Sequence, residues 1–371
     1  MRAYLSFVPL YLHSSLLFTL FLIVGIYSQY SLTSPIYYWS SFLLLFAPLL
    51  IICLQLRKKQ TFYLLLIAFL LGSSLSFYQE IKAINALVVH STVNKGTVKD
   101  TILTGNYHWP YRVRIKTDFF AFFAYTKQKP NFNYDDQIEH PNTTIKQPLN
   151  ADFKRYLFKE GVVGTLFVKE FKAQILKPST YSLFGWIETK RNSLFKTLQQ
   201  RMSRRTFAFF SSLFMGDKSR VKKTIERQKA PFRWWGISHH LARSGLHLMI
   251  FVLLWHLLMS FLPLPFSFKT GLLTLLSCIY FWFTPSTVSF IRAFQLFLLY
   301  KFCNFFDKQI NALHLVCLVC SITLIYNPLQ LFFLDFQLSF YLTFCLAWLS
   351  HVNRQKKLSR KNIAFHKEIF L

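Results

Sequence analysis

Gly236-Ile-Ser-His-His-Leu-Ala-Arg-Ser-Gly-Leu-His-Leu248 opens a long apolar run yet carries three His, one Arg and two Ser. On a helix, His239, Arg243 and His247 fall in an i, i+4, i+8 row, with Ser244 beside it. Gly245 leaves room for a neighbouring helix or a ligand to come close. Lipid would penalise such a face by about several kcal/mol, so the row should point into a bundle or a wet cavity. Two readings stand at this point: His and Arg anchoring a helix end at an interface, or a polar pathway through a membrane.

Composition sets the setting. The chain has 371 residues, 53% of them hydrophobic and 19% aromatic, with 43 Phe, which points to lipid contact. The formal charge is +28, from 43 Lys+Arg against 15 Asp+Glu. That exceeds what topology alone requires, and both acidic headgroups and a polyanionic substrate would suit it. All six Cys sit in or beside apolar runs; Cys317 and Cys320 have CxxC spacing but no partner pair, which reads as packing. No cofactor or metal is expected. No His-x-His-x-Asp-His cluster is present in the sequence, so no nuclease site is assigned.

Around the quoted stretch the chain divides by hydropathy. Residues 1–78 read as N-terminal spanning helices, near Ala3–Ile26, Trp39–Leu56 and Phe62–Phe77. Arg57-Lys58-Lys59 marks the cytoplasmic side. Residues 79–182 change character, with alternating runs at Ala86–Val89, Gly96–Leu103, Tyr111–Lys116, Phe119–Tyr125 and Val162–Lys169. Turn-rich spacers around Lys129-Pro-Asn and His140-Pro-Asn-Thr-Thr separate them, and the pattern suits a small extracytoplasmic OB-like β-barrel. Trp109, Tyr111, Arg112, Arg114 and Lys116 interleave rings and charges there, as single-stranded nucleic acid would need; an ordinary solvated strand is the other reading. Residues 183–235 are a basic, aromatic interfacial linker. Residues 236–350 hold five apolar runs, near Ile237–Leu262, Phe268–Phe283, Val288–Phe305, Ala312–Tyr326 and Leu331–Ser350, and residues 351–371 form a basic tail. Five crossings from outside would leave that tail in the cytoplasm with the N-terminus. The expected fold class is a polytopic α-helical membrane protein with an inserted extracytoplasmic all-β OB-like domain.

Several ordered motifs resemble one family. Gly236–His247 is similar to the signature helix of the ComEC-type competence proteins, the inner-membrane DNA channel of natural transformation. His239, Ser244, Gly245 and His247 match it, while His240 and Arg243 are polar where the family has aliphatics. Leu213-Phe-Met-Gly-Asp-Lys218 resembles the entry to that family's membrane domain. Ser289-Phe-Ile-Arg-Ala-Phe294 resembles its Val-Arg-Ala helix, and Asp335-Phe-Gln-Leu-Ser-Phe340 a further element in which Gly is usual at the Asp position. Asn150–Thr165 partly resembles a segment of the family's OB-like domain.

The resemblance implies a channel component translocating single-stranded DNA into the cytoplasm, without enzymatic activity. His239, Arg243, Ser244, His247, Arg292 and Gln337 are its expected DNA path, and Gly245 a helix-packing position. Implied partners are single-stranded DNA, membrane lipids, a DNA receptor, a helicase and a separate nuclease of a competence system, with homo-oligomerisation one arrangement. The implied location is the inner membrane, multi-pass. The chain reads as a shortened form lacking the C-terminal metallo-β-lactamase-like domain of many family members. Two other readings remain: a non-functional truncated remnant, and an intramembrane enzyme using the His/Arg/Ser row.

Overall fold

The computed structural model describes residues 14–32, 66–79, 81, 92–104, 108–118, 120–128, 130, 135–169, 174–177, 183–214, 234–235, 245–284, 288–306 and 311–369. The chain divides into two compact units, one of Met1–Gln79 with Arg292–Leu371, the other of Glu80–Ile291.

In the second unit, alternation of apolar and polar residues produces the strands β1 (Thr92–Leu103), β2 (Tyr111–Lys116), β3 (Ala121–Thr126), β4 (Gln137–Thr144), β5 (Gly164–Val168) and β6 (Gln174–Lys177). They form one sheet in the order β5-β3-β2-β1-β4-β6. Most pairs are antiparallel; β3 and β5 run parallel. A bridge between Lys146 and Thr165, bonded in both directions at 3.1 and 2.9 Å, joins the segment after β4 to β5 and curls the sheet back on itself. One face closes over Val98, Val113, Ile115, Phe122, Ala124, Ile138 and Leu166, all buried. The other face carries Ala121 and Phe123 against Leu157 and Val162.

That second face is covered by the helix that follows β4. We label the helices in chain order: α1 (Ser14–Leu32), α2 (Ala151–Lys159), α3 (Leu183–Arg201) and α4 (Arg204–Leu213). The Asn150 side chain accepts hydrogen bonds from the Asp152 and Phe153 amides and starts α2. Gly161, at φ +67°, ends it in the left-handed region that glycine enters without strain. Helices α3 and α4 pack through Phe195, Phe207 and Ala208.

The remaining helices are α5 (Gly245–Ser260), α6 (Phe266–Phe283), α7 (Val288–Phe305), α8 (Ala312–Tyr326) and α9 (Leu334–Ile369), with a 3-10 turn at Pro328–Phe332. In the second unit Phe251 stacks on Tyr280 between α5 and α6, with centroids 4.2 Å apart. In the first unit α8 packs against α1 and α9. Helix α1 also meets the helical segment 66–79 at glycine positions. A Cβ on Gly25 would stand 2.2 Å from the Phe69 carbonyl oxygen, and one on Gly72 2.4 Å from that of Leu22. Only glycine permits that backbone approach.

The expected fold class is overturned on both counts. Among the described residues, no helix is long and apolar enough to cross a membrane. Helices α5 and α8 have 16 and 15 residues, short of the roughly 20 a span requires. Helices α6 and α7 are longer but carry Lys269 and, in α7, Arg292 and Lys301. Nor is the strand region all-β, because α2 packs on a mixed sheet. The run at Trp39–Leu56, the strand at Ala86–Val89 and the stretch Gly236–Ser244 lie outside the described residues. Of the expected run Ala3–Ile26, residues 3–13 lie outside the described residues and the described helix continues to Leu32, while the last helix begins at Leu334 and continues to Ile369 where an end near Ser350 was expected.

Candidate nucleic-acid interface

Strand register decides which groups stand together. In β2, Val113 and Ile115 point into the core opposite Ala124 and Phe122, so Arg112 and Arg114 lie on the other face opposite Tyr125 and Phe123. The parallel pairing of β3 with β5 puts Phe167 beside Tyr125 on that face. The two rings stack with centroids 5.0 Å apart and planes 13° from parallel. Trp109, just before β2, meets Phe167 edge-on at 5.4 Å. Lys127 lies 5.6 Å from the Trp109 ring centroid, and its amide donates to the Lys169 carbonyl. Phe167 remains 52% exposed, so the three rings make a ledge open to solvent with Lys127 and Lys169 at its edge.

Behind the ledge the charges are committed to packing. The Arg112 guanidinium lies 4.3 Å above the Phe123 ring centroid and donates to the Tyr156 hydroxyl on α2 at 3.2 Å. Arg114 donates to the Glu160 carbonyl at 2.7 Å, satisfying an acceptor at the end of α2. Burial works to lower the Arg112 pKa, but the Tyr156 hydrogen bond and the charges of Tyr156, Tyr125 and Asp100 outweigh it, and the net shift is upward. Burial pushes the Tyr125 hydroxyl up, against the pull of Arg112. Both groups hold their usual charge state at neutral pH.

The residues expected from sequence distribute as follows. Trp109 joins the ledge, Tyr111 begins β2 opposite Thr126, and Lys116 ends the strand exposed. Arg112 and Arg114 fix α2. His239, Arg243 and Ser244 lie outside the described residues; Gly245 begins α5 and His247, half-buried, follows in its first turn. Arg292, on α7, donates to the Ser339 carbonyl and lies 5.7 Å from the Phe340 ring centroid. Gln337 turns back to the Leu331 carbonyl at 2.9 Å. The ledge residues Tyr125, Lys127 and Phe167 were missed. Their signal was the alternation within Phe119–Tyr125 and Val162–Lys169, but only the parallel pairing of those strands brings Phe167 and Tyr125 together. Among the described residues, no group of three or more His, Cys, Asp or Glu could hold a metal ion.

Fold and site together define a largely helical protein that carries a basic, ring-lined sheet. Residues 213–368 match the model of the family described as Competence protein, consistent with a ComEC-type protein. No curated protein matches the chain, and no solved structure does. That match suggests a role in DNA uptake in transformation, and members of the family are generally membrane-associated.

Proposed function

We propose that this chain is a component of the inner-membrane channel that passes single-stranded DNA into the cytoplasm. The observation that carries the reading is the ledge of Trp109, Tyr125 and Phe167 with Lys127 and Lys169 beside it. Unpaired bases stack on exposed rings while lysines meet the phosphates; bases within a duplex are already stacked and present no free face. The family match, which lies outside the sheet, supports DNA as the polyanion independently. In this reading His239, Arg243, Ser244, His247, Arg292 and Gln337 also meet the strand. Transport and not catalysis is the chain's task. A DNA receptor, a helicase and a separate nuclease act alongside it.

The test is binding of a fluorescent single-stranded oligonucleotide by the full chain, read by anisotropy against a duplex of the same sequence. Preference for the single strand is expected, and Trp109→Ala or Phe167→Ala should each weaken it about ten-fold, since stacking on one ring contributes about 1–3 kcal/mol per base. Equal affinity for single strand and duplex, or no change with both substitutions made together in a folded protein, would sink the reading. In a transformable host, a deletion complemented by the double variant should transform far less often than one complemented by the unaltered chain.

A further inference from the structure

Two contacts fix how helix α2 lies along β2. The Arg114 guanidinium donates to the Glu160 carbonyl at 2.7 Å, and that of Arg112 to the Tyr156 hydroxyl at 3.2 Å. Four residues of helix rise about 6 Å and two residues of strand about 6.7 Å, so stepping back along α2 keeps pace with stepping back along β2. Both steps lead toward Trp109, which precedes β2. Phe153, three residues before Tyr156, therefore comes abreast of the end of the sheet that carries the ledge. Its ring stacks on Tyr156 with centroids 6.1 Å apart and planes 15° from parallel. Leu157, fully buried, seals Phe123, while Phe153, Tyr156 and Tyr125 pack around the same small core only half-buried. Tyr125 thus has rings on two sides: Phe167 stacked on it from β5, and the α2 pair beyond Arg112. Lys159 follows Tyr156 at i+3 on the same flank of α2, with Arg155 beside it, offset by Asp152 at 3.3 Å.

We propose that a single strand held on the ledge continues onto α2, its next bases on the Tyr156 and Phe153 rings and their phosphate against Lys159. This rests on the reading of the ledge as a single-strand site. It extends that site from about two bases to about four, the low end for a folded single-strand module. Arg112 stands between the two ring pairs and stays engaged with Tyr156 and Phe123.

The experiment compares oligothymidylates of about three and about eight nucleotides, each competing for a fluorescent single strand on the full chain purified in a neutral detergent. Phe153→Leu keeps an apolar side chain over the core but removes the ring, and Lys159→Gln leaves the core alone. Each should weaken the longer oligonucleotide about five- to ten-fold and leave the shorter one, which the ledge alone can hold, within about two-fold. Phe158→Leu, beneath Lys154 on the other flank of α2, should change neither. Equal losses on both lengths would overturn the proposal, because Phe153 would then act by holding the sheet. If Phe153→Leu and Lys159→Gln change neither length while Trp109→Ala weakens both, the strand stops at the ledge; the proposal falls and the ledge reading stands. If the unaltered chain holds neither oligonucleotide, the ledge reading itself fails and this one with it.

Discussion

The sheet and the helices of the first unit are held together in different ways. In the sheet, the large side chains Phe122, Ile115 and Ile138 are fully buried, and the charges of Arg112 and Arg114 lie on the outer face. In the first unit several polar contacts lie within the helix packing. Ser15 bonds His314 at 2.6 Å, Thr19 lies 2.8 Å from the Ser321 hydroxyl, and Arg292 reaches the Ser339 carbonyl. Meanwhile Leu338, Leu342 and Leu346 face out. Water drives the first arrangement by expelling apolar area. It drives burial in the second as well, where Leu17, Phe21 and Val24 form a buried cluster, but there buried hydrogen bonds and close backbone contact add to it while large apolar side chains stay exposed. One chain therefore carries two folding logics, and substitutions can separate them.

The largest effect should come from the sheet core. Phe122 is fully buried among Val113, Ile115, Ile138 and Leu166. Phe122→Ala should cost about 3–5 kcal/mol through lost burial and the cavity left behind. Hydrogen exchange on the full chain checks it: amides of β1 to β3 should lose protection while α1 and α8 keep theirs. Equal loss in both would mean that the two logics are one cooperative fold.

A smaller effect is expected where the first unit depends on backbone proximity. Gly25→Ala places a methyl where the Phe69 carbonyl oxygen now stands, and backbone cannot rotate aside as a side-chain tip can. Helix α1 and the segment 66–79 must move apart, at a cost of about 1–3 kcal/mol. Exchange should quicken in those two helices and leave the sheet unchanged. A thermal midpoint equal to that of the unaltered chain would show that their contact contributes little.

How much of this was legible in the sequence follows the same division. Strand β2 stands where alternation in Tyr111–Lys116 put it, β5 falls within its expected run and β3 overlaps its own, ending one residue later at Thr126, because a half-buried strand writes its pleat into the residue order. Strand β4 was read as a spacer because Pro141 sits in it. The register against β1 shifts between Val93 and Lys95, opposite Thr143 and Glu139, and proline is tolerated at such an irregularity. Helix α2 was missed although its Asn150 cap and Gly161 stop both stand in the sequence, because the nine-residue helix lies in a region whose alternating runs read as strands. The family resemblance was read from ordered motifs, four of which, beginning at Leu213, Gly236, Ser289 and Asp335, fall within the matched region. Apolar content misled on fold class: it records how much surface is apolar, not whether one helix is long enough to span. For the site, Trp109 could be named from neighbours in sequence, whereas Phe167 and Tyr125 meet only through a non-local parallel pairing.

The smallest effect tests whether the outer face of the sheet is balanced in charge. Asp100 pairs in register with Arg114. Loss of water raises its carboxyl above 3.8, and the pull of Arg112, Arg191 and Arg114 offsets this only in part. A carboxyl raised on folding favours the folded state below its unfolded value and withdraws that favour as pH climbs through the folded one. Stability should therefore fall slightly as pH rises through the carboxylate range on account of this group. By surface area Asp100 is exposed, so solvent screens the effect. Asp100→Asn should flatten that part of the profile and leave stability at neutral pH within about 0.5 kcal/mol of the unaltered chain. Urea midpoints at acid and neutral pH measure both. If Asn instead lowers stability at neutral pH, the carboxylate is needed as counter-charge to the arginines, and the sheet face would be held by ion pairing as well as by the rings beneath it.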